Sequence, residues 1–123
     1  MRNRGAFAIG VDITDTAFPV NLKKVLHRAP AWNMPFADNS FEVTYSCDVL
    51  EHIPPEMLDA AIEEIIRVTR SKTLHVVARF KHSIEGVDLH PSILTMDEWN
   101  ERFDRFNIKR LDVVIKDRSE IVK

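Results

Sequence analysis

The stretch FEVTYSCDVLEHIPPEMLDAAIEEIIRVTRSKTLHVVARF, residues 41–80, sets the fold class. Phe41 to Leu50 is rich in β-branched and aromatic residues and predicts a strand, with the polar sequence Ser46-Cys47-Asp48 near its end. Pro54-Pro55 then opens a helix. In it Leu58, Ala61, Ile62, Ile65 and Ile66 recur at the i, i+3, i+4, i+7, i+8 spacing of one buried face. Glu56 and Asp59 near its start and Arg67 and Arg70 near its end complement the helix dipole. Thr73 to Phe80 is a nearly continuous apolar run of strand length, as expected where a sheet is covered on both faces, and it predicts a central strand.

Upstream, Ala6 to Ile13 is a short apolar run that suits a buried parallel strand and carries the acidic Asp12 at its end. Thr16 and Pro19 suit the start of a short helix that continues through Val20, Lys23, Lys24, Val25 and Leu26 and ends near His27. Pro30, Pro35 and the cluster Ala37-Asp38-Asn39-Ser40 punctuate Ala29 to Ser40, so any strand there is brief. Downstream, Lys81 to Leu94 predicts a loop containing His82, Gly86, Asp88, His90 and Pro91, long enough to suggest function. Thr95-Met96-Asp97-Glu98 is a capping box, followed by the apolar helix face Met96, Trp99, Phe103 and Phe106. Ile108 to Lys116 alternates through Leu111, Val113 and Ile115 and predicts a half-buried closing strand. This order of strands and helices argues for an α/β layered sheet.

A chain of 123 residues makes one domain. Its net charge of −2, with acids and bases interspersed, leaves no electrostatic footprint for nucleic acid or an anionic membrane surface. Cys47 is the single cysteine and forms no internal disulfide, and no apolar run reaches the roughly 20 residues that span a bilayer. Met1 to Gly10 lacks the long apolar stretch of a secretory signal. A soluble, cytoplasmic protein is the expectation. No metal site is expected either, because no two histidines are spaced three or four apart and the lone cysteine has no partner.

Met34-Pro35-Phe36-Ala37-Asp38-Asn39-Ser40-Phe41 followed by Asp48-Val49-Leu50-Glu51-His52-Ile53 resembles the "LPF-DNSFD … LEHI" run of small-molecule class I S-adenosylmethionine-dependent methyltransferases. Gly10-Val11-Asp12-Ile13 is similar to that family's second strand, and Glu64-Ile65-Ile66-Arg67-Val68 to the helix before its fifth. Leu89-His90-Pro91-Ser92 and Thr95 to Phe103 resemble its late "H…S…t.eeW…F" segment. Arg2-Asn3-Arg4-Gly5 resembles the end of the family's first helix with its glycine cap. The resemblance implies a Rossmann-like α/β sheet, truncated at the N-terminus: residues 1–123 form a single partial methyltransferase-like domain without the first strand and the glycine-rich loop.

It also implies S-adenosylmethionine as cofactor and an unidentified small-molecule methyl acceptor. Asp12, followed by Ile13, falls where a carboxylate accepts hydrogen bonds from the ribose hydroxyls; the alternative is an acid that caps the next helix. Ala31, Trp32 and Met34 occupy positions that pack against adenine in similar enzymes, or else belong to the plain core. Ser46, Cys47 and Asp48 fall where the fourth strand faces the sulfonium end, with Glu51 and His52 on the next turn. Methyl transfer is an in-line displacement that needs a base only if the acceptor carries a proton, and His52, His82 and His90 are the available bases. Pro30 stands where the family usually has an acid for the adenine amino group, and Ser71-Lys72 where it usually has paired glycines. Neighbouring strands lie about 4.8 Å apart, so a missing middle strand leaves two edges to be closed, filled or paired with another chain, which makes an oligomer or a complementing subunit an expectation. Three readings follow: an enzyme completed by another chain, a non-catalytic binding or regulatory module, and a truncated reading frame whose start lies upstream.

Overall fold

The computed structural model describes residues 9–12, 26–79, 83–88 and 90–121. Its centre is a parallel three-stranded sheet of order β3-β4-β7, made of Phe41–Cys47 (β3), Thr69–Val77 (β4) and Asp112–Asp117 (β7). The expected central strand is indeed the middle one. It starts four residues earlier than its apolar run, at Thr69, so Ser71-Lys72 lies inside the strand. Lys72 pairs in register with Val43 on one side and Asp112 on the other.

Helix α1, Pro55–Val68, connects β3 to β4 and begins with proline in its first turn. Its apolar stripe is buried as the spacing predicts, with Leu58, Ala61, Ile62, Ile65 and Ile66 all in the core. The helix passes into β4 without a loop, and Lys109 closes its end by donating from Nζ to the carbonyl oxygens of Ile66 (2.8 Å), Arg67 (2.8 Å) and Thr69 (3.0 Å). A cation at that end satisfies carbonyls left open by the helix and opposes its dipole.

Helix α2, Met96–Phe106, carries the complete capping box: the Glu98 amide donates to Thr95 Oγ1 (3.1 Å), and the Thr95 amide donates to Glu98 Oε1 (3.0 Å). Its Trp99 and Phe103 are fully buried with Leu50, Leu58, Ile62, Val77 and Ile115. Sheet register puts Thr44 and Ser46 of β3, Thr73, His75 and Val77 of β4, and Val113 and Ile115 of β7 on one face. That face carries both helices. The opposite face is buried at Val76, whereas Val43 and Tyr45 of β3 are 53% and 60% exposed.

Several boundaries differ from the sequence expectation. Leu26–Arg28 is a strand (β2), parallel to Gly10–Asp12 (β1), and not the end of a helix. Strand β3 stops at Cys47 because Asp48 turns into the left-handed region (φ 57°), and Leu50–His52 then form a 3₁₀ turn. The expected loop after β4 holds a hairpin, Ser83–Ile84 (β5) with Val87–Asp88 (β6), turned by Glu85 (φ 51°) and Gly86 (φ 80°). Two successive positive φ values are what a tight hairpin turn demands. Ile108 lies outside β7 and is 88% exposed, since Asn107 to Arg110 form a polar turn in which Asn107 brackets the amide and carbonyl of Leu111. A short helix α3, Arg118–Ile121, closes the described chain.

Strands β1 and β2 form a two-stranded sheet of their own, and among the described residues no hydrogen-bonded ladder joins it to β3. Side chains make the link: the ring of His27 meets Phe36 edge-on at 5.2 Å, and Phe36 meets Phe41 edge-on at 4.9 Å.

Candidate functional site

In a parallel sheet the strands all end on one edge, where the polar residues of this chain gather. At the end of β3 the Ser46 hydroxyl points to the helix-covered face and lies 2.5 Å from Nδ1 of His75 on β4. His75 is completely buried, stacks on Phe103 at 4.9 Å, and is held neutral: burial pushes its pKa down to about 4. Cys47 points the other way and is exposed, 3.9 Å from Oδ2 of Asp48. On the same face, the Cys47 side chain, more than partial burial, raises the Tyr45 phenol above its ordinary value.

Asp48 follows in its left-handed conformation, its amide donating to the Val76 carbonyl at 2.9 Å. One carboxylate oxygen, Oδ2, pairs with Arg118 of α3. The other, Oδ1, is buried without a hydrogen-bond partner among the described residues.

The 3₁₀ turn comes next. Leu50 and Glu51 are fully buried, while the His52 side chain is 45% exposed. Oε2 of Glu51 lies 3.8 Å from Nε2 of His52, and neither Glu51 oxygen accepts a hydrogen bond from a described residue. His90, buried, meets His52 edge-on at 4.7 Å between ring centres. The segment bearing His90 is anchored to this turn, because the Ser92 amide donates to the Glu51 carbonyl (3.1 Å) and its hydroxyl to the Ile53 carbonyl (2.6 Å).

Asp12 is the last residue of β1, in register with Arg28 of β2. Ala31, Trp32 and Met34 follow β2, each half-buried against the main core. Met34 is fixed by α1: its amide donates to Glu64 Oε2 (2.6 Å) and its carbonyl accepts from Arg67 (3.2 Å). Arg67 also pairs with Glu64 (2.6 Å) and Asp38 (2.8 Å), and its guanidinium, ahead of the Met34 amide, holds the Glu64 carboxyl below its ordinary value. Ile13 and His82 lie outside the described residues.

The structure thus brings His52 and His90 together and sets Ser46, Cys47 and Asp48 on adjoining positions of one strand end. Sequence reasoning missed His75, Arg118 and the Glu64–Arg67 pair. His75 had a visible signal, being a lone imidazole inside the apolar run of β4. Arg118 had none, since its partner lies 70 positions away. Nor did chain spacing show the grouping of Glu51, His52 and His90, because the chain returns to the turn only after β4 and the hairpin.

A parallel α/β sheet with polar residues at the carboxyl ends of its strands is the architecture of proteins that bind small ligands at that edge. A family model described as a methyltransferase domain matches residues 1–77, from the start of the sequence through β4. The chain therefore belongs to the methyltransferase family, of the class I S-adenosylmethionine-dependent type. Neither the curated proteins nor the solved structures yield a match. Among the described residues no helix is long and apolar enough to cross a membrane.

Proposed function

We propose that this domain binds S-adenosylmethionine at the carboxyl ends of β1 and β3 and transfers its methyl group to a small-molecule acceptor. The observation that carries the reading is Oδ1 of Asp48, a buried acceptor left without a partner at the end of β3. The cofactor bears an ammonium and a sulfonium, and a carboxylate that already sits at this edge with an uncommitted oxygen suits a cationic ligand. When bound, the cofactor supplies an electrophilic methyl group.

The chain's own residues have the tasks of binding and alignment. Asp12 would accept hydrogen bonds from the ribose hydroxyls, and Ile13 would lie beside it. Ala31, Trp32 and Met34 would provide an apolar wall for adenine, with Met34 held in place through Glu64 and Arg67. Ser46 and Cys47 precede Asp48 on the strand and would shape the reacting end. Proximity is the main source of rate in a displacement of this kind, and His52, with His82 and His90 as the other candidates, would take a proton only from an acceptor that carries one.

Two observations favour two forms of this reading. The edge of β3 away from β4 has no strand partner among the described residues, so a second copy or another chain could complete the half-site. Alternatively the domain binds ligand without turnover, which the Asp48–Arg118 pair favours, because it commits half of the carboxylate to the protein.

Calorimetric titration of the folded chain with S-adenosylhomocysteine tests the reading, with Asp12→Asn as contrast. Binding should weaken by about tenfold or more in the variant, the effect of losing a charge-assisted hydrogen bond. No heat from a folded wild-type sample would reject it, and binding of S-adenosylmethionine with no product over any acceptor panel would favour the non-catalytic form.

A further inference from the structure

We propose that Glu51, His52 and His90 form a binding site for one divalent transition-metal ion of the zinc type. One ligand atom from each of these residues lies within 4.8 Å of the others. Ligand atoms around a tetrahedral zinc, at bond lengths of about 2.0–2.1 Å, sit roughly 3.3 Å apart, so the three must close by at most about 1.5 Å. His52 is exposed and can rotate to make that closure, whereas Glu51 and His90 are buried and already fixed.

The second observation is the state of Glu51. Its side chain is fully buried, and neither oxygen accepts a hydrogen bond from a described residue. A carboxylate removed from water without compensation is among the most costly arrangements in a protein interior. A cation held between it and the two imidazoles supplies the missing charge. The frame is built to keep the three together: Glu51 and His52 are adjacent on a 3₁₀ turn, and Ser92 ties the His90 segment to that turn through two hydrogen bonds.

Two imidazoles and one carboxylate select for zinc and its transition-metal neighbours and against magnesium and calcium, which take oxygen ligands. The exposure of His52 leaves one side open for water or a ligand atom. The inference does not rest on the methyl-transfer reading, and it competes with that reading for His52, since an imidazole that ligates a metal is not free to act as a base.

The test uses the full chain, stripped with chelator and dialysed, titrated calorimetrically with zinc chloride and separately with magnesium chloride. The expected result is one zinc per chain and no heat from magnesium. Zinc affinity should fall by about tenfold or more in His52→Ala and in Glu51→Gln, the order of loss seen when a metal centre is disturbed. Because His52 is exposed, His52→Ala should keep the wild-type circular dichroism and decides the question even if Glu51→Gln fails to fold. Absence of zinc binding by the wild type overturns the proposal. So does binding that persists unchanged in His52→Ala, which would place the ion on other histidines.

Discussion

Lowering the pH from 7 to 5 should destabilise this domain by about 2 kcal/mol through His75 alone. The imidazole is fully buried between Ser46 and Phe103, and burial holds its folded-state pKa near 4. In the unfolded chain it returns to about 6.5. Between those values the unfolded state binds a proton that the folded state refuses, so unfolding is favoured as pH falls, by about 1.4 kcal/mol per pH unit. The contribution is complete above about pH 6.5 and is lost progressively to about pH 4, where roughly 3 kcal/mol has gone. Urea unfolding at a series of pH values reads it, and with a typical m-value of about 1–2 kcal/mol/M the midpoint should fall by roughly 1–2 M between pH 7 and 5. His75→Gln is the reference, since it removes this titration and leaves the others. The carboxylates of Glu64, Glu98 and Asp117, all held below their ordinary values, also lose stability in acid, but they do so at lower pH and equally in both proteins. Parallel pH profiles for wild type and His75→Gln would refute the reasoning.

Two further outcomes probe the frame that carries the site. Thr95→Ala removes the cap that receives the Glu98 amide and should cost about 1 kcal/mol in urea unfolding, with an unchanged m-value. Phe103→Ala opens a cavity beneath His75, next to Trp99 and Ile115, and should cost about 3–5 kcal/mol, enough to remove most of the stability of a domain this size. A loss below about 1 kcal/mol would contradict the placement of Phe103 in the core.

The parts of the fold that sequence displayed clearly are those whose signal is local. The α1 stripe from Leu58 to Ile66, the Thr95–Glu98 box and the apolar run of β4 each place their cause within a few residues of their effect. Boundaries set by distant partners were harder to place. Strand β4 begins at Thr69 because Thr69 and then Lys72 find ladder partners in Phe41 and Val43 of β3, although nothing apolar marks Arg70 to Lys72. Ile108 fits an alternating pattern, yet Asn107 claims the backbone of Leu111 and closes a turn first. Leu26 to His27 has a helical composition upstream of it and still pairs with β1, so a ladder overrode a weak local preference.

The candidate site follows the same division, and the division explains which of its residues sequence could reveal. Asp12 and Asp48 stand at the ends of strands, where pattern reading looks for polar groups. Glu51, His90 and His75 draw attention for a different reason: each is a titratable side chain buried in a setting that would suit an apolar one. For His75 burial keeps the imidazole neutral, with Nδ1 at the Ser46 hydroxyl and Nε2 left without a partner among the described residues. Neither oxygen of Glu51 receives a donor from a described residue, and its polar neighbour across the turn is Nε2 of His52 at 3.8 Å. A glutamate that only packed would be replaceable by glutamine or leucine at little cost or with a gain in stability. A glutamate that waits for a cation would lose zinc binding in the same variants while the stability of the metal-free fold rises or stays level. Zinc affinity measured on Glu51→Gln separates a tolerated burial from a binding group, with the stability of the variant as the check that the fold is intact.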